Sequence, residues 1–187
     1  MPATVIPVTG LNLGFVGQVS QQDFSIRTAR QVNPTDTKSI AFGEATVLNA
    51  NNTYSSVAQF ITGGGTFTAS IAIGIAVADT KTNVSFPAAG SNGAAMPGGV
   101  YAPGNEADVA TIGTVNVVIN NGTPPGAGSP VYVRKLANGS IPAGVVGGFE
   151  AVADTTNTVA YPNLVFKTGI VGADGTAQVT MLVRQMP

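Results

Sequence analysis

The sequence predicts an all-β protein: a compact β-barrel or β-tulip-like domain with an extended N-terminal arm and long Pro/Gly loops. A jelly-roll sandwich is the alternative. Three observations predict this class. Apolar β-branched residues recur at every second place in several short runs, the period of a strand with one buried face. Glycine (24 residues) and proline (12 residues) punctuate those runs, and proline can neither donate to a ladder nor continue a helix. No long fixed-period repeat recurs, which disfavours a solenoid or propeller. Strands at short intervals between Gly/Pro turns fit a barrel or a sandwich.

Residues 1–22 read as an extended arm. Pro2 and Pro7 block helix, and Gly10, Gly14 and Gly17 add backbone freedom. Val5, Val8, Leu11, Leu13, Phe15 and Val16 are apolar without a helical period. Such an arm either crosses its own domain or reaches a neighbour, and both readings stay open. Residues 23–187 then form a single β-rich domain.

Residues 24–32 alternate, with Phe24, Ile26 and Thr28 on one face and Ser25, Arg27 and Ala29 on the other. This is the pattern of a half-buried strand. Residues 40–50 read as a second strand, closed by Asn51-Asn52. Residues 54–61 have some helical character, and Ser56 can cap one short turn. Residues 67–78 read as a strand: Ile71, Ile73, Ile75 and Val77 alternate with the small Ser70, Ala72, Gly74, Ala76 and Ala78. One face fills a core and the other permits close approach. Residues 79–108 form a long Pro/Gly/Ala-rich surface connection, of unusual length for a compact domain.

Residues 112–134 organise the rest. Val115, Val117 and Ile119 lie on one side of a strand, with Thr114, Asn116 and Val118 on the other. Asn120-Asn121-Gly122 supplies a reversal. The stiff Thr123-Pro124-Pro125-Gly126-Ala127-Gly128 run cannot continue a ladder. A second strand follows at Pro130-Val131-Tyr132-Val133-Arg134. Beyond it come a short strand at 149–153 and a terminal hairpin of residues 159–170 and 177–184. That hairpin turns at Ala173-Asp174-Gly175.

Composition restricts function. Hydrophobic residues make up 44% and charged residues only 9%, against ~25% charged in an average soluble domain. A surface so poor in charge is either simply neutral or covered by other subunits, and low net charge favours association. The net charge is −1, without a basic patch, so nucleic acid is not an expected partner. No basic amphipathic helix or span of ~20 apolar residues points to a membrane, and the N-terminus lacks a signal-peptide pattern. A cytoplasmic site of synthesis is expected.

Cysteine, histidine and tryptophan are absent, which removes thiolate chemistry, the commonest general base and the commonest metal ligand. Glu106 and Asp108 share a strand face, but Ca²⁺ needs about six or more oxygens. Gly63-Gly64-Gly65 and Gly126-Ala127-Gly128 lack a phosphate-binding context and read as turns. Asn51-Asn52-Thr53 and Asn138-Gly139-Ser140 match a glycosylation pattern that has no meaning without secretion. Arg134-Lys135 reads as a partner contact or a solvated edge. No catalytic, cofactor-binding or metal-ligating residue is assigned, and an enzyme is not expected.

In order and spacing, Val109-Ala110-Thr111-Ile112-Gly113, Gly128-Ser129-Pro130-Val131-Tyr132-Val133-Arg134, Gly148-Phe149 and Pro162-Asn163-Leu164-Val165-Phe166-Lys167-Thr168-Gly169 resemble the structural cement (decoration) proteins of tailed bacteriophage capsids. Ile40-Ala41-Phe42-Gly43 and Phe60-Ile61-Thr62-Gly63-Gly64-Gly65-Thr66-Phe67 are similar to members of the same group. The resemblance implies a structural protein on the capsid exterior that stabilises the shell against genome pressure. It implies the major capsid protein and copies of itself as partners, as a homotrimer in preference to a dimer. The arm residues Val5, Ile6, Val8, Leu11 and Leu13 are assigned to capsid or subunit contact. Two other classes stay open: another virion part, such as a tail-tube or head-fibre subunit, and a carbohydrate-binding β-sandwich. The second is poorly served by a chain with only 4 Tyr and no Trp.

Overall fold

The computed structural model describes residues 16–19, 24–78, 99–120, 123–139, 144–168 and 175–182. These carry strands β1 (Ile26–Gln31), β2 (Ile40–Ala41), β3 (Ala45–Leu48), β4 (Tyr54–Ser56), β5 (Ile73–Ala76) and β6 (Val100–Tyr101). They also carry β7 (Glu106–Val118), β8 (Pro130–Arg134), β9 (Phe149–Glu150), β10 (Thr158–Phe166) and β11 (Thr176–Met181). One short helix, α1 (Val57–Thr62), follows β4. The all-β class is as expected. A single sheet has the order β4-β3-β5-β7-β11-β10-β8-β9, with β1 also on β7; β2 and β6 pair apart from it. A jelly roll calls for two facing sheets, whereas this one curls on itself.

Two closures produce the curl. Strands β7, β11, β10, β8 and β9 pair in succession, and Phe149 of β9 returns to bridge Ile119 just beyond β7. Likewise β1, β7, β5, β3 and β4 pair in succession, and Tyr54 of β4 returns to bridge Val32 just beyond β1. Two circuits of hydrogen-bonded strands therefore share β7. Closure removes exposed strand edges, which are sites of unwanted pairing.

Strand β7 has 13 residues, about twice the usual strand length. It exchanges partners along its length. Strand β5 lies on one side and β11 on the other. Strand β1 pairs with the segment that β5 flanks, so β1 takes the β11 side. Residues 17–19 pair beside Val115 and Asn116, opposite β11. Residues 17–19 and β1 therefore lie on opposite sides of β7. Gly113 makes room for the chain entering β1. Its φ is +116°, and a Cβ there would stand 2.8 Å from Ser25 Cβ and 3.0 Å from the Phe24 carbonyl oxygen.

Side chains of Val47, Ile75, Val117, Val133, Tyr161, Phe166 and Val179 belong to the main core. A second cluster gathers Val32, Ile40, Phe42, Tyr54, Tyr101 and Val109. Phe42 and Tyr101 meet edge to face with ring centroids 5.0 Å apart, a favourable arrangement of the two quadrupoles. The buried Tyr101 hydroxyl donates to the Val77 carbonyl at 2.7 Å. The β2–β6 pair is thereby fixed against β5.

Several expected elements are shorter or divided. The strand expected over residues 40–50 splits into β2 and β3. Gly43 turns the chain with φ +72°, and the Glu44 N–H bonds the Ala41 carbonyl. The run over residues 67–78 yields a strand only at β5; the Ile71 N–H closes a turn onto Thr68 instead. Gly74 still serves close approach, since its missing Cβ would collide with the Val109 side chain. Within the connection expected over residues 79–108, residues 99–108 hold β6 and the start of β7, and residues 79–98 lie outside the described residues. The short strand expected at 149–153 stops at Glu150. Phe24, expected on the half-buried face of the first strand, is 77% exposed. Thr114 and Asn116, on the opposite side of the strand from Val115 and Val117, are buried as well, and Thr114 pairs with Thr180 through their hydroxyls at 2.8 Å. The cap at Ser56 and the single short helix are found as expected, with the Ser56 hydroxyl accepting from the Gln59 N–H. Strands β10 and β11 form the expected antiparallel pair.

Gly113→Ala is expected to destabilise the protein by roughly 2 kcal/mol or more, because the added Cβ meets both an unfavourable φ and the chain at Phe24 and Ser25. A lower urea midpoint with an unchanged slope checks this.

Candidate interaction site

The arm residues assigned to contact, Val5, Ile6, Val8, Leu11 and Leu13, lie outside the described residues. The root of the arm is described, and it is pinned to its own domain. The Gly17 N–H donates to the Asn116 carbonyl at 2.8 Å, and the Asn116 N–H donates to the Gln18 carbonyl at 2.9 Å. The Ala78 N–H donates to the Gly17 carbonyl at 2.9 Å. Gly17 has φ +79°, and a Cβ on it would stand 2.9 Å from both Ala78 N and Phe42 Cβ. Whatever residues 1–15 touch, they start from a fixed point beside β7.

Arg134 overturns its sequence reading. It is not at a solvated edge: it is fully buried. Its guanidinium holds Glu150 through Nε and Nη2, the latter at 3.0 Å to Oε2. Nη2 also donates to Asp154 Oδ2 at 2.8 Å, and Nη1 donates to the Leu136 carbonyl at 3.0 Å. Asn138 and Asn157 donate to the same Asp154 oxygen at 2.9 and 3.3 Å. Burial works against the Arg134 charge, but the hydrogen bonds and charges of Glu150 and Asp154 outweigh it and raise its pKa above the ordinary guanidinium value. The donors Asn138 and Arg134 hold the Asp154 carboxyl below the usual carboxylate range. The backbone joins in: the Arg134 N–H donates to the Gly148 carbonyl at 3.0 Å, and the Gly147 N–H donates to the Arg134 carbonyl at 2.8 Å. One side chain thus fastens the end of β8, β9 and the connections around them.

Glu44 is a second buried carboxyl that sequence reading passes over. Its Oε2 accepts the Ala41 N–H at 2.8 Å, and its Oε1 packs where a Gly147 Cβ would stand. Burial pushes its pKa up to about 7, against the lowering effects of the Ala41 N–H and the Lys38 charge.

The remaining motifs are structural. Gly63 ends α1, and its N–H bonds Gln59. Gly128 turns the chain at φ +76° and donates to the Phe166 carbonyl. Glu106 is exposed at the start of β7. Among the described residues, no group of three acidic residues could hold a metal ion. The Arg134 cluster carried no sequence signal, since its partners stand 16 and 20 residues away.

Residues 4–182 match the family model described as "Structural cement protein (E217 gp24/Pam3 gp6)". No curated protein matches the chain. A solved chain from the structure titled "The capsid of Myoviridae Phage XM1" is 18% identical, with a TM-score of 0.60 over 96% of this chain and 94% of that one. At that identity the likeness concerns the fold. The family match spans nearly the whole sequence, and the chain belongs to the structural cement protein family.

Arg134→Met should cost about 3–5 kcal/mol, because it leaves a buried carboxylate without its counter-charge; thermal unfolding measures it. Glu44 makes stability pH-dependent in a defined direction. With its folded pKa raised from 4.5 to about 7, its contribution is full below pH ~4.5 and is lost as pH rises through 7, by up to ~3 kcal/mol. Glu44→Gln should flatten the stability profile between those two pH values in urea titrations.

Proposed function

We propose that this structural cement protein binds the outer surface of an assembled phage capsid and stabilises the shell against the pressure of the packaged genome. Membership of the cement family over residues 4–182 carries this reading. The surface chemistry agrees with it. A chain with 9% charged residues is suited to protein contacts made by apolar and backbone groups. A ligand that binds only the assembled, expanded shell stabilises that shell by mass action. No chemical step is needed for this role, and the protein is not an enzyme in this reading. Its partners are the major capsid protein and copies of itself, as a trimer in preference to a dimer. Nucleic acid and membranes are not partners. A symmetric oligomer that touches several shell subunits multiplies weak contacts by effective concentration.

The arm is the proposed reach of the molecule. Its root at residues 16–19 is tied to β7, and 15 residues precede that root. Fully extended, they span roughly 50 Å at most, enough to touch a neighbouring subunit. Val5, Ile6, Val8, Leu11 and Leu13 supply the apolar contacts there.

Purified protein added to undecorated expanded shells is expected to bind and to raise their rupture temperature. Binding without a rise, or no binding, overturns the reading. Affinity should change little between low and moderate salt, because few ion pairs contribute. Removal of residues 1–15 should weaken shell binding while leaving the thermal unfolding of the domain intact. Alone, the protein should stay a small oligomer; growth into tubes would point to a tail subunit.

A further inference from the structure

We infer that the outer edge of β1, at Arg27 and Ala29, accepts residues 11–15 from the arm of a second copy as an added strand. This rests on the self-association part of the reading above and assigns it a donor and an acceptor.

The register of β1 builds the edge. Thr28 and Arg30 stand opposite Val109 and Ala107 of β7, while Arg27 and Ala29 stand opposite Ala110 and Asp108. The Asp108 carbonyl accepts the Val77 N–H at 2.9 Å, so Asp108 turns its main chain toward β5 and away from Ala29. In an antiparallel pair, opposed residues that do not bond each other point their main-chain groups outward. The N–H and C=O of Ala29, and those of Arg27 two residues earlier, therefore face away from β7. None of these four groups has a main-chain partner among the described residues. The return of Tyr54 closes the circuit only at Val32 and Asn33, and β1 before Gln31 stays open. Arg27 and Ala29 are exposed. Phe24, two residues before β1, is the most exposed large apolar side chain among the described residues, at 77%. An apolar strand laid on this edge would cover it.

The arm contains a strand that fits. Leu11, Leu13 and Phe15 recur at every second place, with Asn12 and Gly14 between them, the period of a strand with one apolar face. The stretch holds no proline, and residues 1–22 hold no Asp, Glu, Lys or Arg. Pro2 and Pro7 make the earlier part of the arm a poorer ladder partner.

Reach selects the occupant. Gly17 is bonded to Asn116, and the near end of the open edge, Arg27, stands opposite Ala110. Those two positions lie ~20 Å apart along β7, and the root and β1 lie on opposite sides of it. Phe15 can stray only ~7 Å from Gly17 and Leu13 ~14 Å, so this stretch falls short of its own β1. A second β1 is a poor occupant, because Arg27 and Arg30 of both copies would meet at the junction. A strand from the shell would fill the edge but leave residues 11–15 unmatched. One chain thus carries an open edge and a strand for it that is tethered out of reach, and the two meet only between copies. Main-chain hydrogen bonds give such an added strand its affinity, and exchange around a closed symmetric oligomer uses every edge.

The test uses sedimentation velocity without shells. Ala29→Pro removes an outward N–H, which an edge strand tolerates, and leaves the bonds to β7 in place. Removal of residues 1–15 takes away the donated strand and keeps the edge. The wild type should associate at micromolar concentration, and each variant alone should associate roughly tenfold more weakly or worse, since ladder hydrogen bonds are lost. Mixed, the two variants should form one-to-one pairs, the intact arm of the first on the open edge of the second. Leu13→Pro, in the arm and clear of the domain, should weaken association as the truncation does. Circular dichroism of all variants should match the wild type. A monomeric wild type overturns the proposal. So does a folded Ala29→Pro protein that associates like the wild type, or a mixture that fails to pair. Loss of shell binding by Ala29→Pro with self-association unchanged makes a shell strand the occupant, which also overturns it. Wild-type protein that self-associates in this way but does not bind shells overturns the capsid-binding reading and leaves this one standing.

Discussion

Strand β7 is the constraint on which the fold depends. Both circuits of strands pass through it, and neither closes without it. A strand can serve two circuits only if it is long enough to take different partners at its two ends. Thirteen residues supply that length, and Gly113 supplies the room for Phe24 and Ser25 to approach it. The rest follows as local consequence. The β2–β6 pair places Ile40 and Tyr101 in the second core cluster, α1 continues directly from β4, and the terminal pair β10–β11 completes the other circuit.

Much of this was legible in the sequence, for physical reasons. Alternation shows where a strand has one buried face, so Val115, Val117 and Val179 announced themselves. Ser56 could be read as a cap because its hydroxyl has one conspicuous use at a helix start. Alternation says little where both faces are covered, as along β7, where Thr114 and Asn116 are buried like Val115 and Val117. It also fails at strand ends, where a turn competes with the ladder, as at Gly43 and Ile71. The close approach of Phe24 and Ser25 to Gly113 left no trace at all, because a lone glycine inside a strand has several uses.

The Arg134 cluster was illegible for a different reason. An arginine next to a lysine looks like surface, since most such residues are. Its burial depends on Glu150 and Asp154, whose approach is decided by how β8, β9 and β10 pair. Long-range electrostatic partners carry no period and no spacing rule. The low charge of the chain acquires a sharper meaning here. Of the few ionic side chains present, Arg134 and Glu150 are fully enclosed, and Glu44 is buried enough to hold its proton near neutrality. The outer surface is therefore even poorer in charge than the composition suggests.

The closed circuits have a consequence for crowded conditions. Fibrils grow when a bare strand margin recruits the backbone of the next molecule. Here β4 and β9, the terminal strands of the sheet path, are each engaged again by Val32 and Ile119. Copies that accumulate before any scaffold is present find the two ends of that sheet path already occupied. Uncontrolled growth from those ends is thereby discouraged, and attachment can be lost by a surface substitution while the fold survives untouched.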